Sequence, residues 1–239
     1  MSIYCTGVRM CMRVNFYFVG LCLCVFFCLY HIPYFEQLGS CESTNKKIVQ
    51  HVEKYKSIKP SENMLKAIQK YNKYIQYFSS FAYHRKKRNV NPNYIRALIC
   101  VESAGNPRAV SSAKAYGLTQ ILLSTSRRWS KELYTTGYDF EYIDEERLKN
   151  LTVKDLFDPA INILLACYGT DKLNAKFGGR DMVYIAASWN AGQNAVIKYK
   201  NSPPYKETIN FIGKINGYIL SFIKYGFSSH VPVRSFSRY

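Results

Sequence analysis

One acidic residue, Glu102, occupies a position from which it could do acid–base chemistry. At about 100° per residue, it lies near the middle of the apolar face of its predicted helix, between Leu98 and Ile95. A carboxylate on that face loses water when the chain folds, and desolvation raises its pKa. A carboxylic acid that stays protonated near neutral pH is what general-acid catalysis requires. The spacing leaves an alternative open, a structural ion pair with a neighbouring base such as Arg127.

The next acidic residue after Glu102 is distant in sequence. The chain contains no further Asp or Glu until Glu132. Glycosidases usually work with two carboxylates, but some use an N-acetyl group of the substrate as the nucleophile. A lone acid therefore fits the substrate-assisted class.

The helix that carries Glu102 has recognisable ends. Asn91 suits the N-cap, Pro92 suits the first helical position, and Gly105 suits the position after the last turn. The face opposite the apolar one is predicted to be polar. It carries Asn93, Arg96, Cys100 and Ser103.

The charge of the chain is strongly basic. Its 33 Lys and Arg against 16 Asp and Glu give a net charge of +17, and the excess is densest over residues 44–90. Such a field favours a polyanion, which could be nucleic acid, anionic lipid or an acidic cell-wall polymer. The basic run at residues 85–88 has no accompanying nucleic-acid motif, so we expect a solvated loop and no nucleic-acid partner.

The N-terminal segment predicts export. Residues 14–30 carry no charge and follow Arg9 and Arg13, which is typical of a secretory signal or an uncleaved membrane anchor. We predict a signal or anchor over residues 1–40, a polar linker over 41–60, one folded domain over 61–226 and a loose basic tail over 227–239. The protein is then exported, periplasmic or membrane-anchored, and faces the cell wall.

The folded domain is predicted to be mostly α-helical, with little or no β-structure. Apolar residues recur every three or four positions from Ser61 to Ala82, and further helices are predicted from Ile121, from Asp158–Pro159 to Gly178, over 181–189 and from Tyr205. Residues 106–120 read as a loop or short hairpin and 130–157 as irregular. Cys100 and Cys167 are interpreted as two buried thiols, with a disulfide as the alternative.

Five blocks of the sequence, in order, resemble the soluble lytic murein transglycosylases, the lysozyme-like SLT-domain proteins of glycoside hydrolase family 23. The resemblance covers roughly residues 93–220 and leaves residues 1–90 uncovered. The blocks are Ala97–Ser103 with Asn106-Pro107 and Ala109-Val110-Ser111; Gly117-Leu118-Thr119-Gln120; Asp158-Pro159 with Asn162-Ile163; Ala186–Gly192; and Pro204–Thr208.

The resemblance implies a lysozyme-like helical fold with a groove for a peptidoglycan strand. It also implies a carbon–oxygen lyase that cleaves the MurNAc-β-1,4-GlcNAc bond with formation of 1,6-anhydro-muropeptides, with Glu102 as the sole general acid/base. The substrate-binding residues it implies are Ser103, Gln120, Trp189, Asn190 and Tyr205. No metal or cofactor is implied. Further partners that fit an exported enzyme are the membrane, through the N-terminal segment, and a secretion or conjugation apparatus.

Four positions depart from the family pattern. Trp189 replaces a Tyr, Thr119 replaces a Met and would make the pocket wall more polar, and Lys114 replaces a turn Gly. Phe211 stands where the family usually has a Tyr whose hydroxyl reaches the catalytic Glu, a role that Tyr205 or Tyr218 could take over.

These departures keep two other functions open. One is a hydrolytic goose-type lysozyme, which would use the same fold to add water. The other is a non-catalytic protein that binds peptidoglycan or serves secretion assembly through an inherited groove. The departures at Lys114 and Phe211 motivate this second alternative.

Overall fold

The computed structural model describes residues 42–85, 88–178, 182–228 and 230–235. The predicted signal or anchor segment over residues 1–40 lies outside this part of the chain. No helix among the described residues is long and apolar enough to cross a membrane.

The described chain is built mainly from nine helices, which confirms the predicted fold class. The helices are α1 (residues 42–55), α2 (Glu62–Ser79), α3 (Pro92–Ser103), α4 (Leu123–Tyr134), α5 (Glu145–Lys149), α6 (Pro159–Lys176), α7 (Met182–Ala191), α8 (Gln193–Tyr199) and α9 (Lys206–Lys224). A 3-10 turn covers Lys154–Phe157. The strands have two residues each: β1 (Phe81–Ala82) pairs in parallel with β4 (Arg234–Ser235), and β2 (Ala115–Tyr116) pairs antiparallel with β3 (Ile121–Leu122).

Helix α3 lies at the centre of the core, packed by α2, α6 and α9. Its N-terminal signals act as expected, because the Asn91 side chain caps the Asn93 N–H and Pro92 is the first helical residue. All residues from Pro92 to Cys100 are buried. Cys100 and Cys167 are both buried free thiols, as predicted.

The face of α3 that carries Arg96, opposite the apolar one, is also buried over most of its length. The Arg96 side chain is fully buried, and its guanidinium donates to Asn93 Oδ1 at 2.5 Å, Asn72 Oδ1 at 2.8 Å and the Ser228 carbonyl at 2.8 Å. The ring of Phe227 lies 5.0 Å away. Burial lowers the Arg96 pKa to about 10. Polar side chains on this face therefore bind other parts of the protein instead of water.

Residues 230–235 pack against the domain, in contrast to the loose tail predicted over 227–239, of which residues 229 and 236–239 lie outside the described part of the chain. Val231 is buried, and the Arg234 N–H donates to the Ser80 carbonyl at 2.7 Å. The Arg234 guanidinium also lies 5.0 Å from the centre of the Tyr77 ring. Strand pairing and cation–π contact hold this segment despite its basic, polar composition.

The predicted polar linker over 41–60 is instead largely helix α1, which packs against α9. Gly213 and Gly217 let the two backbones approach closely, because a Cβ on Gly217 would lie 2.2 Å from the Tyr55 carbonyl oxygen. The Tyr55 hydroxyl donates to Asn210 at 3.2 Å. Most exposed positions of α1 are polar or charged, and only two of its residues, Thr44 and Ile48, are fully buried, so the helical spacing of the buried residues is hard to recognise in the sequence.

We expect Gly217→Ala to lower the stability of the domain. Gly→Ala in an exposed helix raises stability by up to about 1 kcal/mol, so a loss would report the clash with α1. Overpacking of this kind costs about 1–3 kcal/mol. Thermal and urea unfolding measure the change, and Leu220→Ala, at a position 45% exposed on the same helix, serves as the control. A more stable Gly217→Ala protein would contradict the packing of α1 on α9.

Candidate active site

Glu102 lies in the last turn of α3, where the chain leaves the core. Its side chain is half-buried. The pKa of the Glu102 carboxyl group is raised to about 8, chiefly by burial, and the negative charge of Glu207 contributes in the same direction. A hydrogen bond from Trp189 acts in the opposite direction. The group is therefore protonated at neutral pH, as the sequence predicts for a carboxyl group on an apolar face.

Arg127 does not form the ion pair that the sequence left open. Its Nε donates to the Leu151 carbonyl at 3.0 Å. Within the described part of the chain, no salt bridge involves Glu102. Desolvation therefore acts on this carboxyl group without a compensating cation.

Trp189 places its indole beside Glu102 from near the end of α7, and its N–H is the donor to the carboxyl group. Its ring lies 6.0 Å from that of Trp129, measured between centroids. Helix α7 ends at Ala191, and Gly192, with φ of 84°, separates it from α8. The resemblance implied a substrate-binding role for Trp189, and the structure adds its hydrogen bond to Glu102.

Asn190 is held by the first turn of α9. Its amide oxygen accepts from the Thr208 hydroxyl at 2.7 Å, and its Nδ2 donates to Glu207 at 3.4 Å. Glu207 was part of a recognised sequence block but was not predicted as a site residue. Glu207 and Glu102 are more than one hundred positions apart in the chain. Their proximity arises only from the tertiary fold, so the spacing of residues in the sequence could not predict it.

Ser103 and Gln120 hold the loop that follows α3. The Ser103 hydroxyl donates to the Leu118 carbonyl at 2.7 Å, and the Gln120 amide donates to the Gly117 carbonyl at 2.8 Å. Gly117 has φ of 78°, and a Cβ there would lie 2.1 Å from the Leu156 carbonyl oxygen. Only glycine fits this position. The backbone of the loop between α3 and β3 therefore packs closely against the residues around it.

Two departures from the family pattern have structural explanations. Thr119 is fully buried and donates through both its N–H and its hydroxyl to Asn162 Oδ1, at 3.0 and 2.7 Å. The expectation that it makes the pocket wall more polar is therefore wrong. Lys114 adopts the left-handed conformation, with φ of 59°, so the hairpin turn forms without glycine.

The aromatic residues of α9 do not replace the missing hydroxyl. Phe211 is buried. Tyr205 is the N-cap residue of α9, 46% exposed, with its ring against Tyr199. The Tyr218 hydroxyl points to the Met64 sulfur at 3.8 Å. The Trp189 indole is instead the hydrogen-bond donor to Glu102.

A cavity of about 800 Å³ extends from this site between α4, α6 and the α7–α8 junction. Among the predicted site residues, Gln120, Trp189 and Asn190 line it, whereas Glu102, Ser103 and Tyr205 do not. Trp189, the hydrogen-bond donor to Glu102, connects the carboxyl group to the cavity. Trp129 and Ser188 also line it and were not predicted. The Ser188 hydroxyl is buried and has no hydrogen-bond partner within the described residues, so it is available to a ligand.

Comparison with known proteins identifies relatives of this domain. The model of the transglycosylase SLT domain family matches residues 79–212, more than half of the chain. A Haemophilus influenzae protein named as a soluble lytic murein transglycosylase is 32% identical over 162 residues, 65% of this chain and 24% of that protein. Membrane-bound lytic murein transglycosylase E of Buchnera aphidicola is 40% identical over 89 residues, 37% of this chain and 35% of the relative.

The fold also matches a solved structure, that of the 70 kDa soluble lytic transglycosylase of Escherichia coli. The TM-score is 0.53 with 22% identity, over 65% of this chain and 24% of the other. The chain thus spans about a quarter to a third of the length of these relatives. The sequence blocks, the helical fold and the family match agree, and the chain belongs to the transglycosylase SLT domain family.

Proposed function

We propose that this protein is a lytic transglycosylase that cleaves the MurNAc-β-1,4-GlcNAc bond of peptidoglycan and forms 1,6-anhydro-muropeptides. The observation that carries the proposal is the Glu102 carboxyl group. Burial holds it protonated at neutral pH beside a cavity large enough for part of a glycan strand. The names of the relatives support the same activity. So does the fold shared with a 70 kDa soluble lytic transglycosylase, which has also been solved in complex with bulgecin A.

The proposed reaction needs one acid/base group. Glu102 donates its proton to the glycosidic oxygen as the bond to C1 of MurNAc breaks, while the neighbouring N-acetyl carbonyl oxygen bonds to C1. Glu102 then removes the proton of the MurNAc C6 hydroxyl, whose oxygen displaces the acetamido group from C1. The proton count balances, Glu102 is restored, and water is not consumed.

Glu207 is proposed to raise the pKa of Glu102 rather than to act as a second catalytic carboxylate. Its oxygen accepts from the amide of Asn190, and its negative charge favours the protonated form of Glu102. Asn190 is fixed at both ends of its amide, so its proposed contact to substrate uses an orientation set by α9. Trp189 offers a flat ring to a sugar and a donor to the carboxylate that forms after proton transfer.

Three further residues are proposed to bind substrate, and the structure supports this role to different degrees. They are Ser103, Gln120 and Tyr205. Gln120 lines the cavity. The Ser103 hydroxyl is engaged by backbone carbonyls, which favours a role in shaping the loop. Tyr205 is exposed at the start of α9, where a longer strand could reach it.

The cellular setting is proposed from the substrate and the N-terminal sequence. An enzyme that cuts peptidoglycan must be exported, and residues 1–40 have the composition of a signal or anchor. The excess of basic residues favours attraction to an anionic wall polymer or membrane. Partnership with a secretion or conjugation apparatus remains a prediction from the sequence.

Glu102→Gln is expected to abolish release of 1,6-anhydro-muropeptides from purified peptidoglycan, because the amide cannot donate and retrieve the proton. Mass spectrometry of the soluble products measures this, since an anhydro product is lighter than its reducing-end counterpart by one water. Circular dichroism should show an unchanged fold. Reducing-end products from the wild type would favour the goose-type lysozyme alternative. Strand binding without turnover would favour the non-catalytic one.

The dependence of kcat/KM on pH should report the raised pKa of Glu102. Because the acid form is required, activity should fall as pH rises through about 8. An ordinary carboxyl group would lose its proton more than three pH units lower. A profile that declines already between pH 4 and 6 would show that Glu102 is not the essential acid.

Two substitutions should shift the high-pH limb of this profile, the range in which activity falls as pH rises, in opposite directions. Glu207→Gln removes a negative charge, so the pKa of Glu102 falls and the limb moves to lower pH. Trp189→Phe removes a donor to the ionised carboxylate, so the pKa rises and the limb moves to higher pH. Trp129→Phe serves as the control, because it makes the same chemical change at a Trp that does not donate to Glu102. The pH at which its activity falls should match that of the wild type. Shifts of the same sign in the first two variants would contradict the assignment.

A further inference from the structure

The walls of the cavity are single faces of two helices. Helix α4 contributes residues at spacings of three, four and seven, and α6 does the same, so each face is continuous over two turns. The lining residues are Thr125, Arg128, Trp129 and Glu132 on α4, and Gly169, Lys172, Leu173 and Lys176 on α6. The wall thus carries Trp129 and several charged side chains, and Trp189 lines the same cavity.

The one carboxylate of this wall is already neutralised by the protein. Glu132 accepts from the Tyr168 hydroxyl at 2.6 Å and forms a salt bridge with Lys172. Burial acts to raise the Glu132 pKa, but hydrogen bonds from Lys172 and Tyr168 and the positive charges of Lys172 and Arg128 together lower it. Glu132 therefore stays ionised and paired with Lys172.

Two other cations of the wall, Arg128 and Lys176, are not held in salt bridges among the described residues. Both side chains are exposed. Lys176 Nζ donates only to the neutral side chain of Gln193, at 3.1 Å. The buried Ser188 hydroxyl, which lacks a partner in the same cavity, is an independent sign that a polar ligand completes it.

We propose that Arg128 and Lys176 make the groove selective for glycan strands that carry peptide stems, by binding the carboxylates of those stems. This inference rests on the proposed function. The sugar hydroxyls and acetamido groups of the strand carry no charge, so they cannot neutralise these cations. The peptide attached to each lactyl group does bring carboxylates, which reach beyond the sugar rings. Guanidinium and ammonium groups are the side chains that bind carboxylates best.

The test compares two substrates and matched variants of the full chain. One substrate is strands with intact stems, and the other is the same strands after amidase treatment, which removes the peptides and leaves the lactyl carboxylates. The double variant R128Q/K176Q is compared with K66Q/K70Q. The second pair lies on the exposed face of α2 outside the cavity and changes the net charge equally. Initial rates give kcat and KM for each combination.

R128Q/K176Q should raise KM for stem-bearing strands by about fivefold, as expected for two exposed ion pairs. Its kcat, its KM for stripped strands and the pH at which activity falls should stay unchanged. K66Q/K70Q should behave as the wild type on both substrates.

Equal losses on both substrates, or an equal loss in K66Q/K70Q, would overturn the proposal. The first result would mean general groove contacts, and the second would mean attraction by net charge alone. If the wild type turned over neither of the two substrates, the proposed function would be refuted instead. Strand binding is then compared directly in two inactive proteins, Glu102→Gln and Glu102→Gln combined with R128Q/K176Q, by the quenching of their Trp fluorescence when strands bind. Equal affinity of the two proteins for stem-bearing strands would refute the selectivity.

Discussion

Desolvation of one carboxyl group is the constraint on which the candidate site depends. Glu102 lies in the last turn of α3, whose residues from Pro92 to Cys100 are all buried, so its half-buried side chain is placed at the edge of the core. A charged form at that position loses hydration without gaining a cation, since no salt bridge to it exists among the described residues. Its proton affinity is therefore set mainly by position on α3, with Trp189 and Glu207 as opposing adjustments.

The other end of α3 shows how firmly that position is fixed. Arg96 is a buried cation that forms no salt bridge among the described residues. Amide and carbonyl oxygens from α2, α3 and the C-terminal segment accept hydrogen bonds from its two Nη groups. A buried charge is tolerated only when such bonds replace water. Much of α2 and the segment around Ser228 lie outside the region matched by the family model. Parts of the chain beyond the recognisable motif thus help to anchor the helix that carries Glu102.

The start of α9 and the end of α7 form one unit around the carboxyl group. Thr208 and Glu207 orient the amide of Asn190, and Trp189 next to it donates to Glu102. We propose that this donor takes the role that the resemblance assigns to a hydroxyl at position 211, with an indole N–H from α7 in place of a phenol from α9. The departure at Trp189 would then compensate for the one at Phe211.

The sequence by itself determined the helical class, the capped ends of α3 and the unusual placement of Glu102, because caps and helical periodicity act over a few residues. Only the tertiary structure decided which groups surround that carboxyl. The Trp189 bond, the charge of Glu207, the internal role of Thr119 and the burial of Arg96 all join residues far apart in the chain or hidden by later packing. The same holds for α1, whose lysine-rich sequence resembles a linker until Gly213 and Gly217 bring α9 against it. Local patterns set what each segment can form, and the close packing of helices decides which side chains meet.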